Sequence, residues 1–96
     1  MFVPRKILEE KLRKILEEDI GQGDITAQAV IPPNLKVKAV VVAKDDGVAA
    51  GIEEALVLGE YLGLKAKATV ADGDNIGNNQ VLMEISGDAQ TILSAE

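Results

Sequence analysis

Four carboxylates fall within eight residues at Glu17, Glu18, Asp19 and Asp24, interleaved with Gly21 and Gly23. Oxygen ligands at that density suit a hard cation. The same residues equally suit a helix-to-loop junction. Glycine there takes backbone angles that other residues avoid, and Asp24 caps a short turn through Ile25, Thr26 and Ala27. The structural reading is preferred. Gly21-x-Gly23 is not a phosphate loop: no further Gly and no Lys-Ser/Thr follow, and Asp24 would repel a phosphate. A second candidate, Asp72-Gly73-Asp74-Asn75-Ile76-Gly77, opens like a calcium loop. Ile76 then stands where the fifth position needs an oxygen, and Met83 occupies the twelfth. It reads as a hairpin turn.

The rest of the composition narrows the chemistry further. The chain has 96 residues, no Cys, no His, no Trp and a net charge of −6. Without Cys there is no disulfide framework, thiolate nucleophile or zinc-thiolate site. Without His there is no Ser-His-Asp triad and no imidazole acid or base. An acidic chain with one Phe and one Tyr lacks both the basic stripe and the stacking platform of a nucleic-acid binder. The longest apolar run, Ala39–Ala43, is five residues, and a membrane span needs about 20. The start, Met1 to Lys6, has no signal-peptide apolar region. The expectation is one small cytoplasmic domain, or a piece of one, with no membrane and no nucleic-acid partner.

The elements that must position these turns follow from periodicity. Residues 4–18 predict an amphipathic helix with a stripe of Ile7, Leu8, Leu12, Ile15 and Leu16. Glu9 with Arg13 and Glu10 with Lys14 are i,i+4 pairs in the favourable order. Glu17, Glu18 and Asp19 oppose the dipole at that helix's end, which would be tolerable against a basic partner surface. Pro32-Pro33-Asn34 breaks the chain, and Lys36 to Lys44 predicts a Val-rich strand covered on both faces. Asp45-Asp46-Gly47 is a turn. Gly51 precedes a helix from Ile52 to Leu62, and Gly63 is its C′ residue. Lys65 to Ala71 predicts a strand with one wet face, and Gln80 to Ile85 another. Asp88 caps a last helix carrying Ile92 and Leu93, expected to run on to Glu96 as if cut short. One side of the Val-rich strand and that last helix are the apolar faces expected to lie exposed and to drive self-association.

The stretch Val70 to Ile85 resembles the hammerhead of biotinyl and lipoyl carrier domains, with its D-G-x-x-[VI]-x-x-G-x-x-[LI] rhythm. Carriers present a Lys on a tight hairpin. Here Met83-Glu84-Ile85 stands in its place, and no Lys follows Lys67. Carrier chemistry is excluded.

Four segments in register resemble the N-terminal domain of the quinolinate phosphoribosyltransferase family, the carboxylating nicotinate-nucleotide pyrophosphorylases. Leu16-Glu17-Glu18-Asp19-Ile20-Gly21-Gln22-Gly23-Asp24-Ile25-Thr26 matches E-D-x-G-x-G-D-[IL]-T. Ala43-Lys44-Asp45-Asp46-Gly47-Val48-Ala49-Ala50-Gly51 matches A-x-x-[DE]-G-[VI]-x-[AS]-G. Val70-Ala71-Asp72-Gly73-Asp74-Asn75-Ile76 matches the D-G-x-x-[VI] turn, and Ile92-Leu93-Ser94-Ala95-Glu96 matches L-x-A-E. A related molybdenum-transport-associated family shares the pattern, and a non-catalytic hammerhead binding module is the other alternative.

The resemblance implies an α+β fold: a small hammerhead-type sandwich, mainly antiparallel sheet with helices packed on it. Residues 1–96 would be one N-terminal domain, with the catalytic C-terminal α/β barrel outside this chain. It implies a parent reaction joining quinolinate to 5-phosphoribosyl diphosphate, with Mg²⁺ on the diphosphate, in NAD biosynthesis. It also implies a homo-oligomer, a dimer or higher, in which this domain lids a neighbour's barrel. The family's Arg would follow Glu96. Arg5 and Arg13 are the chain's two guanidinium groups, too few to clamp a dianion and a diphosphate. The chain alone is therefore expected to be inactive, with no catalytic, substrate-binding or metal residue. Its motif residues Asp19, Gly21, Gly23, Asp24, Thr26, Gly47, Gly51, Asp72 and Gly73 are expected to be structural turns.

Overall fold

Two stretches of alternating sequence, Lys36-Val37-Lys38-Ala39 and Lys65-Ala66-Lys67-Ala68, send small apolar side chains one way and lysines the other. That is the pattern of a sheet packed on one face and wet on the other. The computed structural model describes residues 4–17, 25–30 and 36–95. Its elements in chain order are α1 (Arg5–Glu17), β1 (Ile25–Val30), β2 (Lys36–Ala43), β3 (Gly47–Val48) and α2 (Ile52–Tyr61). There follow β4 (Lys65–Ala68), β5 (Asn75–Ile76), β6 (Val81–Asp88) and α3 (Ala89–Ser94).

Four strands form one antiparallel sheet in the order β1-β2-β6-β4. β3 and β5 form a separate two-stranded ribbon. Register places Ala29, Ala39, Ile85 and Ala66 in one row across the sheet, all pointing inward. Leu8, Leu12 and Leu16 of α1, Ile52 and Ala55 of α2, and Ile92 of α3 join these alternate strand residues in one buried cluster. The result is an α+β sandwich with three helices over one face of the sheet. Small inward residues let the helices approach closely. A Cβ added to Gly59 of α2 would stand 3.2 Å from the Ala66 Cβ of β4.

A bulge between Val41 and Val42 shifts the β2–β6 register, where Val41 faces Met83 and Val42 faces Val81. Past it, Val42 and Leu82 are both buried although they leave the alternation.

Several local expectations are corrected. Ile25 to Ala27 is no capped turn. It begins β1, a six-residue strand whose buried Ile25, Ala27 and Ala29 alternate with outward Thr26, Gln28 and Val30. The run ITAQAV carries that period-2 signal itself. The expected Glu9–Arg13 pair gives way to Arg13–Glu17 at 3.2 Å. Glu9 instead accepts a hydrogen bond at 2.8 Å from the backbone N–H of Ala29, on the outer edge of the sheet. α3 does not run to Glu96. It closes at Ser94, with Ala95 extended at φ −69° and ψ 142°. Its Asp88 cap forms as expected, accepting from Gln90 N–H at 2.9 Å. Gly63 follows α2 at φ 84°, in the left-handed region where glycine is at ease.

The faces expected to be apolar and exposed are not so. Ile92 is buried, Leu93 is half-buried, and Val42 lies under the bulge. The outward side of β2 shows Lys36 and Lys38 to water, so it is not covered on both sides.

Candidate functional site

The second and third motifs, far apart in sequence, meet at β3 and β5. Gly47 pairs with Ile76 and Val48 with Asn75. Hydrogen bonds at 2.8 Å extend the ribbon, from Ala49 N–H to the Asp74 carbonyl and from Gly73 N–H to the Ala49 carbonyl. Three acids of the turns, Asp46, Asp72 and Asp74, are turned onto backbone donors. Asp74 Oδ2 accepts from Ala71 N–H at 2.8 Å, and Asp46 Oδ1 accepts from Asn78 N–H at 2.9 Å.

Asp72 has the longest-range role. Gly51, the residue before α2, sits at φ 77° and has no side chain to cap the helix. Asp72 fills the gap from twenty residues away, accepting from Ile52 N–H at 2.7 Å. Its other oxygen lies 3.5 Å from Glu53 N–H. A carboxylate at a helix N-terminus answers both the unpaired donors and the dipole. Asp72→Ala is expected to lower stability by about 0.5–2 kcal/mol, and Asp72→Asn by less because an acceptor remains. Urea denaturation checks this; an unchanged midpoint in the alanine variant contradicts the cap.

The other feature is the open face of the sheet. A groove of about 680 Å³ crosses it. Its floor is β2 and β6, its walls are β4 on one side and β1 with the start of α1 on the other. One row reads Val30, Lys38, Ser86, Lys65 across β1-β2-β6-β4, and the next reads Gln28, Val40, Glu84, Lys67. Arg5 and Glu9 of α1 complete the rim. Four cations face two carboxylates, a net positive groove on a chain of net charge −6.

Of the residues singled out from the sequence, Asp19, Gly21, Gly23 and Asp24 lie outside the described residues, as do Glu18 and Glu96. Thr26 is a half-buried β1 residue opposite Val42. Gly51 and Gly73 both hold positive φ, 77° and 91°. A Cβ on Gly47 would meet nothing within 4 Å. Sequence reasoning passed over the lysine rows, although alternating Lys in two separate strands was their signal. The Glu9 and Asp72 contacts each span twenty residues and leave no local signature.

Comparison with known proteins fits this architecture. A model of the quinolinate phosphoribosyl transferase N-terminal domain matches residues 24–96. A probable carboxylating nicotinate-nucleotide pyrophosphorylase of Methanocaldococcus jannaschii is 40% identical over 85 residues, covering 88% of this chain and 29% of that protein. The chloroplastic carboxylating nicotinate-nucleotide pyrophosphorylase of Arabidopsis thaliana is 34% identical over 96 residues, covering 97% of this chain and 28% of that protein. The crystal structure of NadC from Streptococcus pyogenes superposes with a TM-score of 0.51 at 20% identity, covering 96% of this chain and 34% of that one, which speaks to the fold. The chain thus spans about three tenths of the length of these curated relatives. With its motifs paired as β3 and β5 and its helices on one face of a four-stranded antiparallel sheet, the chain belongs to the quinolinate phosphoribosyl transferase N-terminal domain family.

Proposed function

We propose that this chain is the N-terminal domain of an enzyme that joins quinolinate to 5-phosphoribosyl diphosphate, giving nicotinate mononucleotide, CO2 and diphosphate. Its partners in this reading are a C-terminal barrel and a second copy of the protein, in a dimer or higher oligomer in the cytoplasm. Its task is to cover the mouth of a neighbour's barrel and keep water from the reacting groups. The observation that carries the reading is the family match over residues 24–96, together with relatives of which the chain covers about three tenths. Among the described residues no helix is long and apolar enough to cross a membrane.

The domain's own side chains contribute shape and charge. The chain has no His and no Cys to move a proton or attack a carbon. Mg²⁺ would serve the diphosphate of the parent reaction by neutralising its charge. The described acids do not fit such an ion, because Asp46, Asp72 and Asp74 each point at backbone N–H groups and converge on no common centre. No step of this reading passes through them.

The purified chain, given quinolinate and 5-phosphoribosyl diphosphate with or without Mg²⁺, is expected to form no nicotinate mononucleotide. Mixed with the separately expressed remainder of the protein, it is expected to bind it, more weakly as salt rises, and to restore turnover. Product formed by the chain alone would overturn the reading, and so would a failure to bind that remainder at low salt.

A further inference from the structure

We propose that the outer edge of β4 is a docking site for an extended, acidic segment of a partner protein, which adds to the sheet as a fifth strand. The inference rests on the two edges of the sheet and not on the reaction proposed above.

An edge strand turns the N–H and C=O of every second residue away from its neighbour. In β4 that parity is fixed just past the strand, where Thr69 N–H donates to the Leu82 carbonyl at 3.0 Å. Lys67 and Lys65, two and four residues back, therefore direct their backbone groups at Glu84 and Ser86 of β6. Ala66 and Ala68 direct theirs outward. Leu64 shares the outward parity, and its N–H is taken by the Gly59 carbonyl at 2.8 Å. No described residue does the same for Ala66 or Ala68, and both are only half-buried. The opposite edge is closed. Glu9 accepts from Ala29 N–H, and Ala27 and Ala29, which share the outward parity of β1, are 4% and 3% exposed. The sheet thus offers two backbone donors and two acceptors in line on one edge, the arrangement that takes an added strand.

The flanking side chains select the occupant. Lys65 and Lys67 are exposed on the open face of the sheet. On the β6 side they stand opposite Ser86 and Glu84. A strand added on the free side sets its own residues beside them, where acids attract and lysines repel. Pairing β4 with the β4 of a second copy sets lysine against lysine, which disfavours self-addition. On the helix-covered face Ala66 and Ala68 pack against the core. The alternate residues of the occupant extend that layer and are apolar. The segment that fits therefore alternates acidic and apolar side chains.

Amide hydrogen exchange of the ¹⁵N-labelled chain tests the site, with a blocked hexapeptide alternating glutamate and valine as the probe at constant ionic strength. Exchange at Ala66 and Ala68 is expected to slow as the peptide saturates, with no change at Ala27. Ala68→Pro leaves the β6 ladder whole, because that N–H is not part of it. It is expected to weaken binding about tenfold or more, through the lost donor and the ring in its place. Lys65→Glu with Lys67→Glu alters no backbone group, and is expected to abolish binding of this peptide and to favour one alternating lysine and valine. No slowing at millimolar peptide would overturn the proposal, and so would slowing at Ala27 instead. Equal binding of the lysine peptide by the unaltered chain would overturn the acidic occupant. Slowing at Ala66 and Ala68 with rising protein concentration alone would assign the edge to a second copy and overturn the partner.

Discussion

Leu12→Ala is expected to lower the stability of the domain by about 2–5 kcal/mol, the cost of a leucine-sized cavity in a core. At about 4–8 °C per kcal/mol for a domain of this size, thermal unfolding should fall by well over a few degrees. Leu12 is 0% exposed, as is Leu8 one turn before it. The family match begins at residue 24, after α1 has ended. On that boundary alone the first helix would be an appendage. The packing contradicts this, because Leu8, Leu12 and Leu16 are in the same buried cluster as the sheet. Glu9 also ties the helix to the edge of β1 through Ala29. Ile7 on the same helix is 52% exposed, so Ile7→Ala should be close to neutral. If Leu12→Ala also left the urea midpoint unchanged, α1 would not belong to the folding unit.

The contrast between α1 and β1 shows what was legible in the sequence. α1 announces itself because its leucines recur at helical spacing and its charges fill the other positions. β1 carries an equally regular alternation, ITAQAV, but it follows directly on the acidic Gly21-Gln22-Gly23-Asp24 run, and its six residues give a short signal. β2 is legible at nearly its true extent, whereas the strand expected to end at Ile85 runs on as β6 to Asp88. The bulge at Val41/Val42 is not legible, because a pleat irregularity depends on the partner strand and not on local composition.

The site was legible in part and for the same reason. The turns at 43–51 and 70–76 stand out by Gly and Asp. That they pair with each other, and that Asp72 reaches α2 across twenty residues, is a fact of topology. The lysine rows are the reverse case. Lys65 and Lys67 are plain in the sequence as wet-face residues, whereas Lys36 and Lys38 stand on a strand expected to be covered on both faces. Their concentration appears only when β6 is placed between β2 and β4, bringing two strands' lysines to either side of Ser86.

Gly87→Ala tests how tightly that sheet is closed over by the chain leading into it. Gly87 lies in β6 opposite Val37, and a Cβ built on it would stand 2.5 Å from Leu64 Cδ2. Two effects oppose each other. Alanine reduces the freedom of the unfolded chain, worth about 0.5–1 kcal/mol in favour of the variant. Overpacking against a side chain that cannot yield costs about 1–3 kcal/mol. Leu64 is 4% exposed, so its side chain has little room to turn away. The clash wins, and Gly87→Ala is expected to destabilise. A double-mutant cycle isolates the cause. Leu64→Ala alone opens a cavity costing about 2–5 kcal/mol. In the double variant the new methyl partly fills that cavity, so the combined loss should be less than the sum of the two single losses by about 0.5–3 kcal/mol. Additive losses would mean that Gly87 is required for its backbone and not for the space that Leu64 occupies.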